Sequence, residues 1–404
     1  MFIDCARFRA KGVRTPLSNT KSWSCWLVLV AYFLLASLKV FAVPFPTDFD
    51  ELQHLSVVIA QQEHPDLFAD QSQYFVLSDT DVTQWSREPN YINHPALYYL
   101  ILSQFATRAT PHIDLLRLIN VFFACAGLTM AILGGRRLFL EPFDRIVFCT
   151  LAASFPRGVS IAAMINNDNL ALFAGSMAFL GIVSPQRFAI WLLAGSLAIA
   201  GWTKLTALIA LGATIGVWQA HRIFRGQVTL LSRHSALLIF GGMVGATPYL
   251  VSLVRHGLLL YVNEAHGFTP PALRASVTFP EFSWAFFKMF AMKWVSEGSY
   301  GAPAALALMT MLIFLTLTSL ARWGEIRSIA GPFAAAFAIT FAIHLLYGWH
   351  AYITRGDQTI AQIRYYNVLW PGIAAALAVS PAAVTEMIRG LRIWLAPSRS
   401  RSPS

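Results

Sequence analysis

The sequence predicts an all-α polytopic membrane protein with about ten transmembrane helices. Its 404 residues are 56% hydrophobic and 12% charged, with a mean hydropathy of +0.55, whereas soluble domains carry roughly 25% charged residues. Apolar runs long enough to cross a bilayer as helices recur along most of the chain. Because no Pro/Ser linker divides these runs, residues 25–390 are predicted to form one membrane domain.

Ten apolar runs are the candidate spans. The first, residues 25–44, is longer than a signal-peptide core and has no convincing cleavage pattern, so we interpret it as an anchor. The runs at 169–184 and 188–202 are short and could instead form a re-entrant pair. The remaining candidates lie at 114–135, 146–163, 205–220, 235–254, 301–320, 329–349 and 368–388.

Basic residues indicate which ends of the spans face the cytoplasm. Alternate connections and both basic tails, 1–24 and 391–404, hold 18 of the 30 Lys and Arg residues but only 5 of the 20 acidic residues. Because cytoplasmic loops are rich in Lys and Arg, both termini are predicted to be cytoplasmic, with external loops at about 45–113, 255–300 and 350–367. The net charge of +10 is therefore a topology signal, which implies the lipid bilayer as a partner and requires no nucleic acid.

Polar clusters from five distant parts of the chain fall on the predicted external side. They are "DFDELQH" from Asp48 to His54, "HPALYYL" from His94, "INNDNLAL" with Asn167 and Asp168, "GWTKLTAL" with Lys204, and "RYYNVLWPG" with Arg364 and Tyr365. Two external segments are predicted to be helices at the membrane surface. Residues 90–105 end in an apolar run too short to cross the bilayer, which predicts an interfacial or re-entrant helix. Residues 280–295 mix aromatic residues with lysines, which predicts a helix in the outer headgroup layer.

Taken singly, each cluster also has a structural interpretation. Asp168 could cap a helix, Lys204 could extend to the lipid headgroups, and Arg364 could belong to an interfacial belt. His94 could cap the helix that follows it. The acidic stretch is harder to explain in this way, because it lies at a predicted helix start beside the bilayer. The common side of all five clusters favours a functional site.

Carboxylates at a membrane surface, with cations on the same side, suit group transfer from a lipid phosphate. A carboxylate would take the proton of the acceptor, while Lys, Arg or a metal ion would stabilise the departing phosphate. The sequence contains no GxxxxGK[ST] loop, no GxGxxG after a strand, no HExxH and no GxSxG. Soluble-nucleotide, zinc-protease and serine-hydrolase chemistry are therefore not indicated.

The order of these motifs resembles that of the GT-C superfamily of polyprenol-phosphate-sugar glycosyltransferases. "DFDELQHL", "HPALYYL", "LLRLIN", "INNDNLAL", Lys204 and "RYYNVLWPG" follow one another between about residues 25 and 375. The pattern is most similar to the bacterial branch of protein mannosyltransferase-like and lipid A aminoarabinose transferase-like proteins, with DE-x-x-H and N-N-D motifs. The resemblance implies a multi-pass protein of the bacterial inner membrane. Such a protein moves a sugar, with inversion, from a polyprenyl-phosphate donor to an acceptor at the external face.

The resemblance also implies roles for individual residues. Asp50 would be the general base, with Asp48 as the alternative because "DFDE" stands where many relatives have one acid pair. Lys204 and Arg364 would neutralise the donor phosphate, and Glu51 and His54 are the candidate ligands for a divalent metal such as Mg²⁺ or Mn²⁺. The full set of residues that would hold donor, acceptor or metal is Glu51, His54, His94, Tyr98, Asn167, Asp168, Lys204, Arg364 and Tyr365.

Two other functions stay open on the sequence alone. A transporter of a lipid or small molecule would place ionisable residues within spans, as Lys39 and Arg157 are here, and a non-catalytic assembly subunit would need no base. Two departures from the family's pattern are expected to matter differently. "HPAL" in place of the "HPPL" common in relatives is a mild change. No large soluble external domain is seen after the last predicted span, so a protein or oligosaccharyl acceptor with elaborate recognition is not expected; the sugar and the acceptor stay open. In an enzyme, Asp50, Lys204 and Arg364 should converge on one external cavity open to lipid.

Overall fold

The computed structural model describes residues 23–47, 50–70, 73–155, 157–260, 276–295, 323–356 and 362–378. Most of these residues are helical. The helices, in chain order, are α1 (Trp23–Ala42), α2 (Glu51–Glu63), α3 (Leu97–Ser103), α4 (Ile113–Leu138), α5 (Pro142–Ala153), α6 (Gly158–Ala162), α7 (Asp168–Ile182), α8 (Gln186–Gly201), α9 (Leu205–Phe224), α10 (Arg233–His256), α11 (Phe279–Val295), α12 (Trp323–Arg355) and α13 (Trp370–Ala378), with a 3₁₀ helix at Ile363–Leu369.

Five of these helices are long and apolar enough to cross a membrane. They are α1, α4, α9, α10 and the Ser328–Thr354 part of α12, and the shorter apolar helices α7 and α8 fall on the two short predicted runs. A helical membrane protein is thus confirmed, but the count of ten spans is not. The predicted span 301–320 and the end of the predicted span 368–388 lie outside the described residues.

The predicted span at 146–163 is wrong as a single helix. Helix α5 ends at Ala153 and α6 comprises only Gly158–Ala162. The intervening sequence "SFPRG" explains the break, because a proline removes a backbone donor and disfavours helix in the residue before it. The hydroxyl of Tyr32 donates to the carbonyl of Gly158 over 3.1 Å, so a backbone group at the break is bound within the protein.

The all-α prediction is wrong for the first external loop, which is not purely helical. Between α2 and α3 it contains an antiparallel hairpin of β1 (Phe75–Leu77) and β2 (Trp85–Pro89). The hydroxyl of Ser56 in α2 accepts a hydrogen bond from the amide of Leu77 over 2.9 Å, which fastens the hairpin to the helix. Leu55 and Tyr99 are fully buried in a hydrophobic core that this loop shares with Leu116 of α4 and Leu170 of α7. A loop packed in this way against the helices holds its polar side chains in fixed positions.

The 3₁₀ helix lies directly against α7. This contact depends on Gly175, because a Cβ atom at that position would lie only 2.1 Å from the carbonyl oxygen of Val368. Glycine therefore allows the two backbones to approach. The close approach brings Arg364, at the start of the 3₁₀ helix, to the N-terminus of α7.

Candidate functional site

Four charged side chains form one series of ion pairs, here termed the ionic series. Nη2 of Arg364 lies 2.6 Å from Oδ2 of Asp50, and its Nε lies 3.7 Å from Oδ2 of Asp168. Nζ of Lys204 lies 2.7 Å from Oδ1 of Asp168. The order Asp50, Arg364, Asp168, Lys204 alternates in sign, so each charge stabilises the next.

The ionic series joins four elements that are distant in sequence. Asp50 directly precedes α2, Asp168 is the first residue of α7, and Lys204 directly precedes α9. Arg364 is the second residue of the 3₁₀ helix. Four of the sequence-predicted site residues thus lie together at one end of the helices.

Exposure differs along the ionic series. The side chain of Asp50 is 26% exposed and that of Arg364 is 11% exposed, whereas those of Asp168 and Lys204 are 1% and 4% exposed. Asp50 is therefore the most exposed member of the series, and the Asp168–Lys204 pair is the most deeply buried part.

Asp50 has an unusual backbone conformation. Its φ of 63° places it in the left-handed region, which a non-glycine residue occupies only at a conformational cost. The hydroxyl of Tyr91 donates to Oδ1 of Asp50 while Arg364 donates to Oδ2. Burial alone would raise the pKa of Asp50, but Arg364 and the Tyr91 hydrogen bond outweigh it and hold that pKa below its ordinary value. The Asp50 carboxylate is therefore ionised at neutral pH.

Asp168 does not cap α7, so the alternative interpretation of Asp168 as a helix cap is wrong. The N-cap residue is Asn167, and the Asp168 carboxylate faces Lys204 and Arg364 instead. Nδ2 of Asn167 donates to the carbonyl of Thr203 over 3.0 Å, so this asparagine fixes the turn that carries Lys204. Nδ2 of Asn367 donates to the carbonyl of Asp168 over 2.7 Å, which ties the 3₁₀ helix to the same point.

Lys204 is buried and paired, so it does not extend to the lipid headgroups. Its Nζ also lies 4.5 Å from the ring centroid of Tyr365, at a distance typical of a cation–π contact. Burial lowers the pKa of Lys204, although the Asp168 carboxylate opposes this shift. Arg364 is also buried, which would lower its pKa, but Asp168 and Asp50 outweigh burial and raise it. Both cations are engaged by carboxylates, whereas the prediction assigned them to the donor phosphate.

The two predicted histidines lie together in the first external loop. Nδ1 of His54 lies 2.9 Å from the hydroxyl oxygen of Tyr99, and its ring stacks on that of His94 with centroids 6.1 Å apart. Burial lowers the pKa of His54 to about 3, against an opposing effect of Asp50. Burial likewise places the pKa of His94 well below its ordinary value. Both imidazoles are therefore neutral at physiological pH.

Tyr98 is a core residue of the external loop. It is fully buried, and its hydroxyl donates to Oδ1 of Asn120 over 2.9 Å. The same oxygen of Asn120 also accepts from Asn169 over 3.0 Å. Tyr98 thus links the external loop to α4 and α7, and the structure gives it no exposed surface on which to hold a substrate.

Glu51 makes a different set of contacts from the one predicted. Nε and Nη2 of Arg117 lie 2.8 and 2.7 Å from its two carboxylate oxygens. The hydroxyl of Thr47 and the amide of Ile165 donate to the same oxygens over 2.9 and 3.0 Å. The side chain is fully buried, so Glu51 anchors the turn that carries Asp50.

These contacts do not fit the predicted divalent metal. Glu51 is occupied by Arg117, and His54 bonds to Tyr99 rather than to Glu51. In the part of the chain that the structure describes, no group of three or more His, Cys, Asp or Glu side chains could hold a metal ion. Asp48, the alternative base, lies outside the described residues.

Three important contacts were missing from the sequence prediction. Arg117 lies in the apolar helix α4, far from the two cations of its last turn, and its partner Glu51 lies 66 positions earlier. The other two residues, Tyr91 and Asn367, are polar neighbours of candidates that were already chosen. Arg117 was the residue most open to prediction, because a charge in an apolar helix needs a partner inside the protein.

One solved structure resembles this fold over most of the chain. The crystal structure of ArnT from Cupriavidus metallidurans in the apo state matches with a TM-score of 0.53 and 14% sequence identity. The match covers 93% of this chain but 64% of that one, so this chain spans less than two thirds of ArnT. No family model and no curated protein matches the sequence. At this identity the likeness shows the ArnT fold alone, which agrees with the fold that the predicted resemblance implied.

Proposed function

We propose that this chain, which has the fold of the GT-C glycosyltransferase ArnT, transfers a sugar from a polyprenyl-phosphate donor to an acceptor hydroxyl. The observation that supports this most directly is the ionic series. It presents one partly exposed, ionised carboxylate, Asp50, on a rigid base of buried charges. Such an arrangement suits a general base that must be held in position and kept deprotonated.

In this proposal Asp50 takes the proton of the acceptor hydroxyl. The hydroxyl oxygen attacks the anomeric carbon from the face opposite the phosphate, and a new C–O bond forms as the bond to the phosphate oxygen breaks. The phosphate leaves with the bonding electrons, and the configuration inverts. Although Tyr91 and Arg364 each bond to one oxygen of Asp50, a carboxylate has about four acceptor positions. It can therefore accept the incoming hydroxyl without losing either contact.

The reaction would take place at the external face of a bacterial inner membrane. The site lies where α1 ends and where α4, α7 and α9 begin. Arg136 and Arg137 lie at the opposite end of α4. By the bias of cytoplasmic loops toward basic residues, the site is external and both termini are cytoplasmic.

A transfer assay tests the proposed function. Purified full chain in lipid nanodiscs, given radiolabelled polyprenyl-phosphate sugars and a bacterial lipid extract, is expected to move label from the donor to an acceptor fraction. Circular dichroism and thermal unfolding would show that the protein is folded. If folded protein moved label from none of several donor sugars, the proposal would be wrong.

Arg364→Gln is expected to shift the acidic limb of the pH profile of kcat/KM to higher pH. The base acts when ionised, and Arg364 is the largest influence that lowers the pKa of Asp50, while burial raises it. Without Arg364 the pKa of Asp50 rises, so protonation inactivates the variant at a pH where the wild type is still active.

Tyr365→Phe is the matched control for Arg364→Gln. It keeps the ring beside Lys204 and leaves the Asp50–Arg364 pair intact. The control should retain the wild-type acidic limb. An acidic limb that is the same in Arg364→Gln and in the wild type would show that Arg364 does not set the ionisation of the base.

A further inference from the structure

The connection between α9 and α10 lies at the opposite end of the helices from the ionic series. Lys204 directly precedes α9, whereas residues 222–233, here termed the α9–α10 turn, join the end of α9 to the first residue of α10. Helix α9 has 20 residues, which at 1.5 Å per residue is about 30 Å, the thickness of the hydrocarbon core of a bilayer. The α9–α10 turn therefore falls at the level of the lipid headgroups on the far side of the membrane.

Hydrogen bonds hold the α9–α10 turn in one compact piece. The backbone amide of Gln227 donates to the carbonyl of Arg222 over 2.9 Å. Nε2 of Gln219, in α9, donates to the hydroxyl of Ser235, in α10, over 2.9 Å. The same hydroxyl donates to the carbonyl of Thr229 over 3.1 Å. These contacts join the end of α9 to the start of α10, so the side chains of the α9–α10 turn lie at one end of the helix pair.

The α9–α10 turn exposes large apolar side chains. Leu231 is 96% exposed, and Phe224 and Leu230 are exposed as well. In water this arrangement is unfavourable, because apolar surface is transferred out of water with a gain in free energy. The boundary between headgroups and acyl chains accepts such side chains. The exposed residues therefore indicate that the α9–α10 turn lies in the lipid headgroup layer.

The α9–α10 turn is also cationic. It contains Arg222, Arg225 and Arg233, and no Asp or Glu occurs in the sequence between Asp168 and Glu264. Among the residues that the structure describes, none forms an ion pair or a hydrogen bond with any of these three guanidinium groups. The positive charge of the α9–α10 turn is thus not neutralised by carboxylates of the described protein.

Arg222 makes this lack of a counter-charge costly. The residue is buried, its Nη2 atom has no hydrogen-bond partner among the described residues, and its guanidinium carbon lies 4.6 Å from the ring centroid of Trp218. A buried cation without a paired anion is destabilising. An anion held at the surface of the α9–α10 turn would offset this cost through Coulomb attraction.

The other basic connection at this end of the helices differs in its acidic content. Arg136 and Arg137 lie in the last turn of α4, and Glu141 and Asp144 follow them in the sequence. That connection therefore brings carboxylates of its own. The α9–α10 turn has the cations without the acids, and it adds exposed apolar side chains.

We propose that the α9–α10 turn binds an anionic phospholipid of the membrane leaflet opposite the candidate site. Arg225 and Arg233 bind the headgroup phosphate, and Phe224, Leu230 and Leu231 lie among the upper parts of the acyl chains. A zwitterionic lipid would leave the positive charge unbalanced, and a soluble anion would leave the apolar side chains in water. By the bias of cytoplasmic loops toward basic residues, this is the cytoplasmic leaflet. The inference does not depend on sugar transfer.

Photo-crosslinking tests this surface without relying on activity. The probe is phosphatidylglycerol with a diazirine in the upper part of one acyl chain, added to the purified full chain in detergent, and crosslinked peptides are mapped by mass spectrometry. Crosslinks are expected within residues 222–233. Unlabelled phosphatidylglycerol should compete, whereas phosphatidylcholine and inorganic phosphate should not. Crosslinks confined to other segments, or equal competition by phosphatidylcholine or by inorganic phosphate, would overturn the proposal.

Charge variants show whether the arginines bind the headgroup. Arg225→Gln and Arg233→Gln are each expected to raise the Kd of the probe about fivefold, because one basic residue near an anionic lipid surface contributes about 1 kcal/mol. Both side chains are exposed, so neither change removes a buried contact. Arg136→Gln is the matched control, since it removes an exposed cation at the same end of the helices. If Arg136→Gln raises the Kd as much as the other two changes, the α9–α10 turn is not a specific site.

A variant of the most exposed apolar residue tests the second half of the surface. Leu231→Glu removes an apolar side chain and adds a negative charge where the lipid would lie, so it should reduce crosslinking to the α9–α10 turn severalfold. Leu67→Glu makes the same change at an exposed leucine of the first external loop and should leave crosslinking unchanged. Unchanged crosslinking in folded Leu231→Glu would show that the lipid does not bind at this surface.

Discussion

Replacing Asp50 with Asn is expected to lower the rate of sugar transfer by at least about 100-fold. General acid–base catalysis by one positioned group contributes typically 10²–10⁴-fold, and Asn has nearly the same shape but cannot take a proton. Asn also retains an oxygen that can accept the hydrogen bond from Tyr91 or from Arg364. Because Asp50 is proposed to act on the acceptor hydroxyl, the loss should appear in kcat, with little change in KM for the donor.

The same substitution at a neighbouring acid is the matched control. Asp79 lies exposed in the same external loop, outside the ionic series, so Asp79→Asn should transfer at the wild-type rate. The measurement is initial-rate transfer of radiolabelled sugar, with unfolding temperatures of all three proteins as a check on folding. If Asp50→Asn keeps more than about a tenth of the wild-type rate, Asp50 is not the base, and Asp48 becomes the residue to test.

The sequence predicted the helical elements better than their interruptions. Apolar runs with clear ends, such as those of α1, α4 and α10, matched helices because a bilayer requires a long apolar segment with its backbone groups paired. The run at 146–163 was predicted as one span because its hydropathy is continuous. The proline and glycine in "SFPRG" were a sufficient signal for the break. The hairpin in the external loop went unpredicted because its two strands are only three and five residues long.

The sequence predicted which charged residues lie on the same side of the membrane better than it predicted their ion-pair partners. Asp50, Asp168, Lys204 and Arg364 were chosen because they fall on one predicted side of the membrane, and the structure brings them within bonding distance of one another. The pairing of individual charges depends on backbone packing such as the close approach at Gly175. This packing cannot be predicted from the spacing of residues in the sequence. For this reason Lys204 was assigned to the donor although it is paired with Asp168, and Glu51 was assigned to a metal although it is paired with Arg117.

Arg117→Met is expected to destabilise the protein by about 3–5 kcal/mol, the usual cost of leaving one member of a buried ion pair without its partner. The side chains of Arg117 and Glu51 are 2% and 0% exposed. Arg117 also donates to the carbonyls of Val40 and Val43, at the end of α1 and just beyond it. Its loss would therefore release both α1 and the turn that holds Asp50. The free energy of unfolding in detergent and the rate of proteolysis within residues 45–70 measure the two effects.

An exposed ion pair on the same external loop is the control for Arg117→Met, because breaking it removes a charge without leaving a buried charge unpaired. Arg108 lies 3.1 Å from Glu63, at the end of α2, with side chains 46% and 25% exposed. Such pairs contribute about 0–1 kcal/mol, so Arg108→Met should change stability little. In the double variant Glu51→Gln/Arg117→Met, no charge stays buried without a partner. Its cost should therefore be well below the sum of the two single variants. If the two single effects add fully, or if Arg117→Met costs no more than Arg108→Met, then the Glu51–Arg117 pair does not hold the catalytic turn in place.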